Sequence, residues 1–421
     1  MLPWSLRPRR PWQGRRVVLG VTGGIAAYKS IQLARDLTLM GSQVDVVMTE
    51  AARRFVGPLS FEGVTGRRVA ESLWSADGSA LHLSLGRDAD VFVVAPATAD
   101  FLARAAHGRA DDLLTTALLA TRAPVLLAPA MNHRMWDHPQ TAANVEHCRH
   151  GLGYQVLGPD RGRLGAGEGS GMGRMVDPSE VMEWCGRLLA GKAGGLTGHR
   201  VLVTAGPTRE PLDPVRFLGN RSSGRMGFAL AREAWLRGGA VTLVTGPSNL
   251  PDPVGVRVIR VETAVEMLGA VREHAGSAQV TVYAAAVADY RPVAPSDQKT
   301  RKADTGDRLM VEFGMNPDIA AETASLTPSD GVRVGFALET DDLLERAGAK
   351  LRSKGFDLIV ANRAGEPDAG FDAETNRVTI LDRDDGLEEL PVLPKDDVAG
   401  RILDRVQSLL ARGTGARGRA L

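Results

Sequence analysis

At 421 residues, with 43% hydrophobic and 24% charged residues, the chain has the length and composition of two or three soluble globular domains. A formal net charge of +1 gives no reason to expect nucleic acid or an anionic membrane as a partner, and no apolar run approaches the ~18 residues that span a bilayer. The two cysteines, Cys148 and Cys185, lack metal-site or redox spacing and cannot build a disulfide framework, which fits a reducing compartment.

High glycine content with 5% aromatic residues suits a glycine-turned α/β protein better than a β-sandwich. The basic start contains proline and tryptophan but no apolar core or cleavage site, so it is not a secretory signal. Residues 1–14 are expected to form a flexible extension of a cytoplasmic protein.

Arg16-Val17-Val18-Leu19-Gly20-Val21-Thr22 reads as a buried strand running into Gly23-Gly24-Ile25-Ala26 and an amphipathic helix to about Met40. A second strand ends at Met48-Thr49. Strand, glycine turn, helix and strand make a βαβ phosphate-binding arrangement, in which glycines let backbone N–H groups approach an anion. The turn lacks the spaced glycines of a dinucleotide site and suits a single terminal phosphate, as in a flavin mononucleotide.

Leu81-His82-Leu83-Ser84-Leu85 alternates polar positions ahead of the apolar strand at 90–95. That strand ends in Pro96-Ala97-Thr98-Ala99-Asp100, a turn suited to the polar edge of a ligand. Asp111-Asp112 opens the next helix, with acids where the dipole prefers them. The run 123–128 is another buried strand, and Pro129-Ala130-Met131-Asn132-His133-Arg134-Met135-Trp136-Asp137 follows it. In open parallel sheets ligands sit at the carboxyl ends of strands, so this loop is placed for binding or chemistry, although Met131, Met135 and Trp136 also suit packing. A last short strand is expected at 154–157. Residues 162–173 then form a mobile glycine-rich segment leading to Arg174-Met175.

Thr22-Gly23-Gly24-Ile25-Ala26-Ala27-Tyr28-Lys29, His82, Ala95-Pro96-Ala97-Thr98-Ala99-Asp100 and Pro129-Ala130-Met131-Asn132-His133-Arg134-Met135-Trp136 together resemble the flavin-dependent cysteine decarboxylases, and more closely the phosphopantothenoylcysteine decarboxylases. The resemblance implies a flavodoxin-like FMN domain over residues 15–190. Gly23, Gly24, Ile25, Ala26, Thr49, Ala97, Thr98 and Ala99 would hold the cofactor. His82 would serve oxidation and decarboxylation, Asn132 would hold the substrate carboxylate, and Met131, Arg174 and Met175 would also contact substrate. A histidine near neutral pKa suits proton handling, and an uncharged amide can bind a carboxylate without blocking its departure.

The family lid carries a cysteine that supplies the last proton. Here Gly165-Ala166-Gly167-Glu168-Gly169-Ser170-Gly171-Met172-Gly173-Arg174-Met175 contains none, with Ala166 nearest its position. Either Glu168, Ser170 or water takes its place, or the last step is impaired.

Residues 191–198 are a polar glycine-rich linker. A second Rossmann-like domain is expected over 199–412, with a tail at 413–421. Its strands fall at 199–204, 240–245, 256–261, 279–285, 332–337 and 357–360, with a hairpin at 371–381 and a closing helix from Lys395. Asn220-Arg221-Ser222-Ser223-Gly224 beside a helix start, Asp289 beyond a strand end, the basic cluster Lys299-Thr300-Arg301-Lys302 and Asn316-Pro317-Asp318-Ile319 describe a nucleoside triphosphate with metal facing an anionic substrate.

With the turn at 204–210, these stretches resemble the phosphopantothenate–cysteine ligases, whose bacterial members use CTP. Asn220 would handle the acyl-cytidylate and Lys299 promote its formation. Tyr283, Ala284, Ala285, Asp289, Lys299, Asn316, Pro317, Asp318, Ile319, Phe336, Lys350 and Lys354 would contact the nucleotide, and Asp289 would hold Mg²⁺. The two resemblances imply one bifunctional enzyme acting on 4′-phosphopantothenate, L-cysteine and phosphopantothenoylcysteine. They also imply a homo-oligomer, with trimeric flavin domains in an assembly as large as a dodecamer.

Overall fold

The computed structural model describes residues 5–74, 80–301, 308–339, 341–363, 370, 373–384 and 386–417. They fall into two compact units that divide between Gly191 and Lys192.

In the first unit β1 (Arg16–Val21), β2 (Gln43–Met48), β3 (Val91–Ala97), β4 (Val125–Pro129) and β5 (Gln155–Val156) form one sheet in the order β2-β1-β3-β4-β5. Every pair is parallel. Strands covered on both faces read as unbroken apolar runs, and Val17, Val18 and Leu19 are completely buried. One face packs Val18, Phe92, Val94 and Leu127 against α4 (Ala99–Ala106) and α5 (Leu113–Ala120). The other faces α1 (Ala27–Leu39) and α8 (Pro178–Ala190). This strand order is the flavodoxin type, whose switch point lies between β1 and β3.

Three expectations for this unit are corrected. Residues 5–14 are not a flexible extension: Trp12 is fully buried, lies against Gly186 of α8 and donates its indole N–H to Met182 O at 3.1 Å. Residues 1–4 lie outside the described residues. The glycine-rich segment is an antiparallel hairpin, β6 (Asp160–Arg163) with β7 (Ser170–Arg174). Close packing requires the glycines at its base, since a Cβ at Gly171 would stand 2.7 Å from His133 Cβ, whereas at Gly167 and Gly169 it would meet nothing within 4 Å. Leu81–Arg87 is a short helix, α3, despite its alternating pattern.

The second unit is built on an eight-stranded sheet. It contains β8 (Arg200–Ala205), β11 (Ala240–Thr245), β12 (Arg257–Arg260), β13 (Val280–Tyr283), β16 (Val332–Glu339) and β17 (Leu358–Arg363), joined at one edge by β19 (Thr379–Asp382) and β20 (Leu387–Glu389). The order is β12-β11-β8-β13-β16-β17-β19-β20, parallel as far as β17 and antiparallel beyond it. The parallel strands therefore follow the doubly wound Rossmann order, with the switch point between β8 and β13. Met267, Leu268 and Val271 of the helix Ala264–Ala275 pack on Leu202 and Val244. The helix Arg225–Leu236 packs against the closing helix Lys395–Arg417.

The hairpin lies later than expected, as β19 with β20, because Asp382 Oδ1 accepts the N–H groups of Asp384 and Gly386 and turns the chain there. Phe371 lies outside the described residues. The closing helix runs to Arg417, past the expected start of the tail, and residues 418–421 lie outside the described residues. No helix among the described residues is long and apolar enough to cross a membrane.

Candidate functional site

In the first unit a cavity of about 1000 Å³ opens at the carboxyl ends of β1, β2, β3 and β4. Its floor is fixed by Thr22. The Thr22 hydroxyl donates to Pro96 O at 2.7 Å and accepts the Thr98 N–H at 3.2 Å, tying β1 to β3 across the switch point. Thr98 in turn caps α4 by accepting the Phe101 N–H at 3.3 Å. No side chain caps the N-terminus of α1, so its amides face the turn Gly23-Gly24-Ile25-Ala26 on the cavity wall. That leaves an electropositive helix end for a phosphate. Gly23 packs directly on Ala51, where a Cβ would meet the backbone carbon at 2.9 Å.

Of the expected flavin contacts, Gly23, Gly24, Ile25, Ala26, Thr49, Thr98 and Ala99 line this cavity. Ala97 does not; it is fully buried in β3, with its carbonyl bonded to Ala130 N. Thr49 Oγ1 accepts the Ala52 N–H at 3.2 Å and so shapes the wall. Arg54, Phe55 and Arg163 also line the cavity, and nothing in their spacing announced it. Lys29 reaches across to Met175 O at 2.8 Å, holding the lid's exit against α1.

Asn132 caps a single helical turn, His133–Trp136, its Oδ1 accepting the Arg134 N–H at 2.9 Å. That bond sets the amide's orientation and turns Nδ2 toward the cavity, where it donates to Glu168 Oε2 at 2.7 Å. Met131 N–H donates to Gly173 O at 3.0 Å, fastening the hairpin base to the loop. Trp136 packs on the core, Met131 both packs on it and lines the cavity, and Met135 is exposed and lines the cavity with Asn132, Arg174 and Met175. His82, on α3, is not among the lining residues. Both thiols are remote from the lid: Cys148 and Cys185 are fully buried, and burial pushes the Cys148 thiol up to about 11 and that of Cys185 further.

The second unit has its own cavity, about 800 Å³, at the β8/β13 switch point. The loops leaving these strands are zipped together. Thr204 Oγ1 accepts the Ala285 N–H at 3.2 Å and Thr208 Oγ1 the Ala288 N–H at 3.0 Å. Asn220 Nδ2 donates to the carbonyls of Ala286 and Val287 at 3.1 Å each.

Tyr283, Ala284, Ala285, Asp289, Asn316, Pro317, Asp318, Ile319, Phe336, Lys350 and Lys354 all line the cavity. Several of them also shape its wall. Tyr283 OH pairs with Thr323 Oγ1 at 2.7 Å inside the core, and Asn316 Nδ2 donates to Ala288 O at 2.8 Å. Asp318 caps a helical turn through the Ala321 N–H at 3.0 Å and pairs with Lys354. Lys350 donates to Phe336 O at 2.8 Å, and burial lowers its pKa against the opposing pull of Glu339 and Asp289.

Lys299 is exposed and does not line this cavity. Its neighbour Thr300 is anchored instead, donating its N–H to Asp213 Oδ2 at 3.2 Å and accepting from Arg216 at 2.9 Å. Lys302 lies outside the described residues. Asn362 and Arg363, at the carboxyl end of β17, join the lining and were reachable from the strand-end rule alone.

Residues 5–189 match the family described as Flavoprotein, and residues 196–410 the family described as DNA/pantothenate metabolism flavoprotein C-terminal domain. The coenzyme A biosynthesis bifunctional protein CoaBC of Vibrio cholerae is 45% identical over 392 residues, covering 93% of this chain and 97% of its own. That of Escherichia coli is 42% identical over 396 residues, with 93% and 97% covered. Among solved structures, the FMN-dependent cysteine decarboxylase SpaF is 36% identical, covering 38% of this chain and 91% of its own at a TM-score of 0.35. The chain belongs to the family of bifunctional coenzyme A biosynthesis proteins, in which a flavoprotein domain precedes a DNA/pantothenate metabolism flavoprotein C-terminal domain.

Proposed function

We propose that the chain performs two consecutive steps of coenzyme A biosynthesis, joining L-cysteine to 4′-phosphopantothenate and decarboxylating the product to 4′-phosphopantetheine. The observation that carries this reading is the Asn132 amide, oriented by Arg134 N–H so that its donor faces the cavity with a carboxylate oxygen at 2.7 Å.

In the second unit the phosphopantothenate carboxylate attacks the α-phosphate of CTP, releasing pyrophosphate and forming an acyl-cytidylate. The cysteine amine then attacks the acyl carbon and releases CMP. Lys350 and Lys354, on the cavity wall, neutralise phosphate charge, and Asn220 holds the loop that faces the anhydride. Lys299 acts from its loop on the same anionic centre. Among the described residues no cluster of three His, Cys, Asp or Glu side chains can cage a metal. That suits Mg²⁺ arriving with the triphosphate and held by Asp289 and phosphate oxygens.

In the first unit the uncapped α1 terminus and the Gly23 turn fit a single phosphate, and Thr98 fits the polar ring edge, so these residues would hold FMN. Bound FMN supplies two-electron oxidation of the substrate thiol, which makes the adjacent carbon an electron sink, and then returns the electrons. Asn132 orients the carboxylate until it departs as carbon dioxide.

His82 lies off its own chain's cavity, beside exposed Leu83 in the chain, while Ile25, Tyr28, Phe55, Leu59 and Trp74 also expose apolar surface in this unit. That exposed apolar surface supports self-association of the flavin units, and we read the assembly as trimers of flavin domains, up to a dodecamer, in which His82 would reach a neighbouring copy's flavin.

Purified protein given phosphopantothenoylcysteine should release carbon dioxide and form phosphopantetheine. With phosphopantothenate, cysteine, CTP and Mg²⁺ it should release CMP. A flavin-loaded protein that leaves phosphopantothenoylcysteine untouched would sink the decarboxylase half, and Lys299→Gln with unchanged CMP release would remove Lys299 from the ligase mechanism.

A further inference from the structure

Glu168 occupies a position that the decarboxylation chemistry above leaves unassigned. Asn132 can spare only its Nδ2 for a ligand, because Oδ1 is committed to the Arg134 N–H. Of its two N–H groups, one is already taken by a carboxylate, Glu168 Oε2 at 2.7 Å. Among the described residues Asn132 is the one hydrogen-bond partner of the Glu168 side chain, and no cation pairs with it. Of the cavity's cations, Lys29 and Arg174 pair with Asp177 and Arg104 with Asp100, Asp111 and Asp112, while Arg54 and Arg163 also line it and neither pairs with Glu168 among the described residues.

The hairpin is built to let this carboxylate come and go. Glu168 sits between Gly167 and Gly169, whose φ angles of +82° and +76° are readily available only to glycine. An added Cβ at either would meet nothing within 4 Å, so the tip is free of packing. The base is the opposite. Met131 N–H is bonded to Gly173 O at 3.0 Å, and a Cβ at Gly173 would collide with Met131 O. A pinned base with an unpacked tip allows Glu168 to swing without unfolding the hairpin.

We propose that Glu168 is an internal stand-in for the substrate carboxylate: it holds Asn132 when no substrate carboxylate is present, and a substrate carboxylate displaces it, because two carboxylates on one amide nitrogen repel each other. The proposal rests on the decarboxylase reading above. Each state places one carboxylate on one neutral amide, so the exchange needs no change in local charge. When carbon dioxide leaves, the vacated donor recaptures Glu168, and the hairpin closes over a compound that has just lost its own carboxylate. The lid thereby favours the carboxylate-free compounds and works against the carboxylate-bearing one. Glu168 is in this sense a positioning residue.

The test uses the flavin-loaded full chain and two ligands that lack a thiol and cannot react at sulfur: N-(4′-phosphopantothenoyl)alanine, which bears the carboxylate, and the corresponding N-ethyl amide, which does not. Binding is read from flavin fluorescence. Glu168→Ala should tighten the alanine compound about tenfold, a factor worth ~1.4 kcal/mol and the low end for a hydrogen bond to a charged group. It should leave the ethyl amide unchanged or weaker, and Glu168→Asp should fall between Glu168→Ala and the native chain. Equal weakening of both ligands would reduce Glu168 to part of a passive cover and overturn the proposal, as would equal tightening or no change in either. Carbon dioxide release from phosphopantothenoylcysteine by the native chain, run alongside, decides the underlying reading separately.

Discussion

Gly23→Ala tests whether the β1–α1 turn is built for a phosphate. A Cβ at Gly23 would fall inside the contact distance of Ala51 Cβ, with the Ala51 backbone carbon at 2.9 Å and its oxygen at 3.1 Å. Backbone atoms cannot rotate away, so the turn itself must retreat from the segment after β2. Forcing one extra methyl into packed structure costs ~1–3 kcal/mol. The free chain relieves that strain by moving the turn, and flavin binding then requires its return. Up to the whole strain therefore appears as lost affinity, about 5- to 150-fold. Gly24→Ala is the control, since its Cβ would meet only Thr98 Cγ2 at 3.6 Å, an ordinary contact. The assay is fluorescence titration of the flavin-stripped full chain with FMN. Native affinity in Gly23→Ala, or an equal loss in Gly24→Ala, would refute a role for this close approach.

The other predictions concern the two units separately. Trp12→Ala should destabilise the flavin unit by ~3–5 kcal/mol, since it empties a fully buried site and removes the indole hydrogen bond to Met182 O; an unchanged melting temperature would return residues 5–14 to the status of an extension. Burial lowers the Lys350 pKa below the ordinary lysine value. Its charged form is therefore the one lost as pH rises, so nucleotide affinity should fall across the alkaline range and do so earlier than for a solvated lysine. The sign for stability is opposite: the unfolded chain binds this proton more tightly, so the unit gains stability as pH climbs through the lowered value. Lys350→Met should show weak affinity with a flat pH profile, and matching profiles in native and variant chains would exclude Lys350 from phosphate binding. Asp213 accepts N–H groups from Val215, Arg216 and Thr300, and the Arg216 guanidinium beside it holds its carboxyl well below the usual carboxylate range. Asp213→Asn should loosen the Lys299 loop and lower kcat for CMP release about tenfold or more, with KM for CTP little changed; a rise in KM alone would place Asp213 in nucleotide binding instead.

What could be read directly from residue order was whatever depends on near neighbours. The buried runs at β1, β3 and β4 are continuous because parallel strands are covered on both faces, so they are visible without any tertiary knowledge. The turns at Gly23 and Thr98 follow from strand ends in the same way. Trp12 was misread because its burial depends on a partner 170 residues away, which no local pattern encodes. The hairpin at 160–174 was misread because Gly171 and Gly173 at its base answer to His133 and Met131 across space. The alternation around His82 falls on about two turns of helix, a surface element in which only Leu85 and Gly86 are buried. Lys299 was expected at the nucleotide, and its exposure on a loop leaves its role to the anchoring of Thr300.

The hydroxyls of Thr22 and Thr204 explain how one mechanical solution serves two chemistries. At a switch point the flanking helices depart to opposite faces, so the loops beyond the strand ends need ties of their own; in the second unit one backbone bridge, Ala286 N–H to Gly206 O at 2.9 Å and Thr208 N–H to Ala286 O at 3.3 Å, supplies part of them. A short, β-branched hydroxyl is suited to the gap: its χ1 is stiff, and it can donate and accept at once. Thr22 does both across β1 and β3, while Thr204 and Thr208 accept two N–H groups across β8 and β13. Valine at any of these positions would keep the shape and leave a buried N–H unpaired, at ~1–3 kcal/mol. With the loops tied at the strand ends, the residues beyond are free to differ. The first unit turns an uncapped helix end and a neutral amide toward its cavity; the second turns Lys350, Lys354 and Asp289 toward its own. The fold supplies the crevice in both cases, and the loop side chains decide whether it receives a flavin phosphate and a departing carboxylate or a triphosphate and its metal.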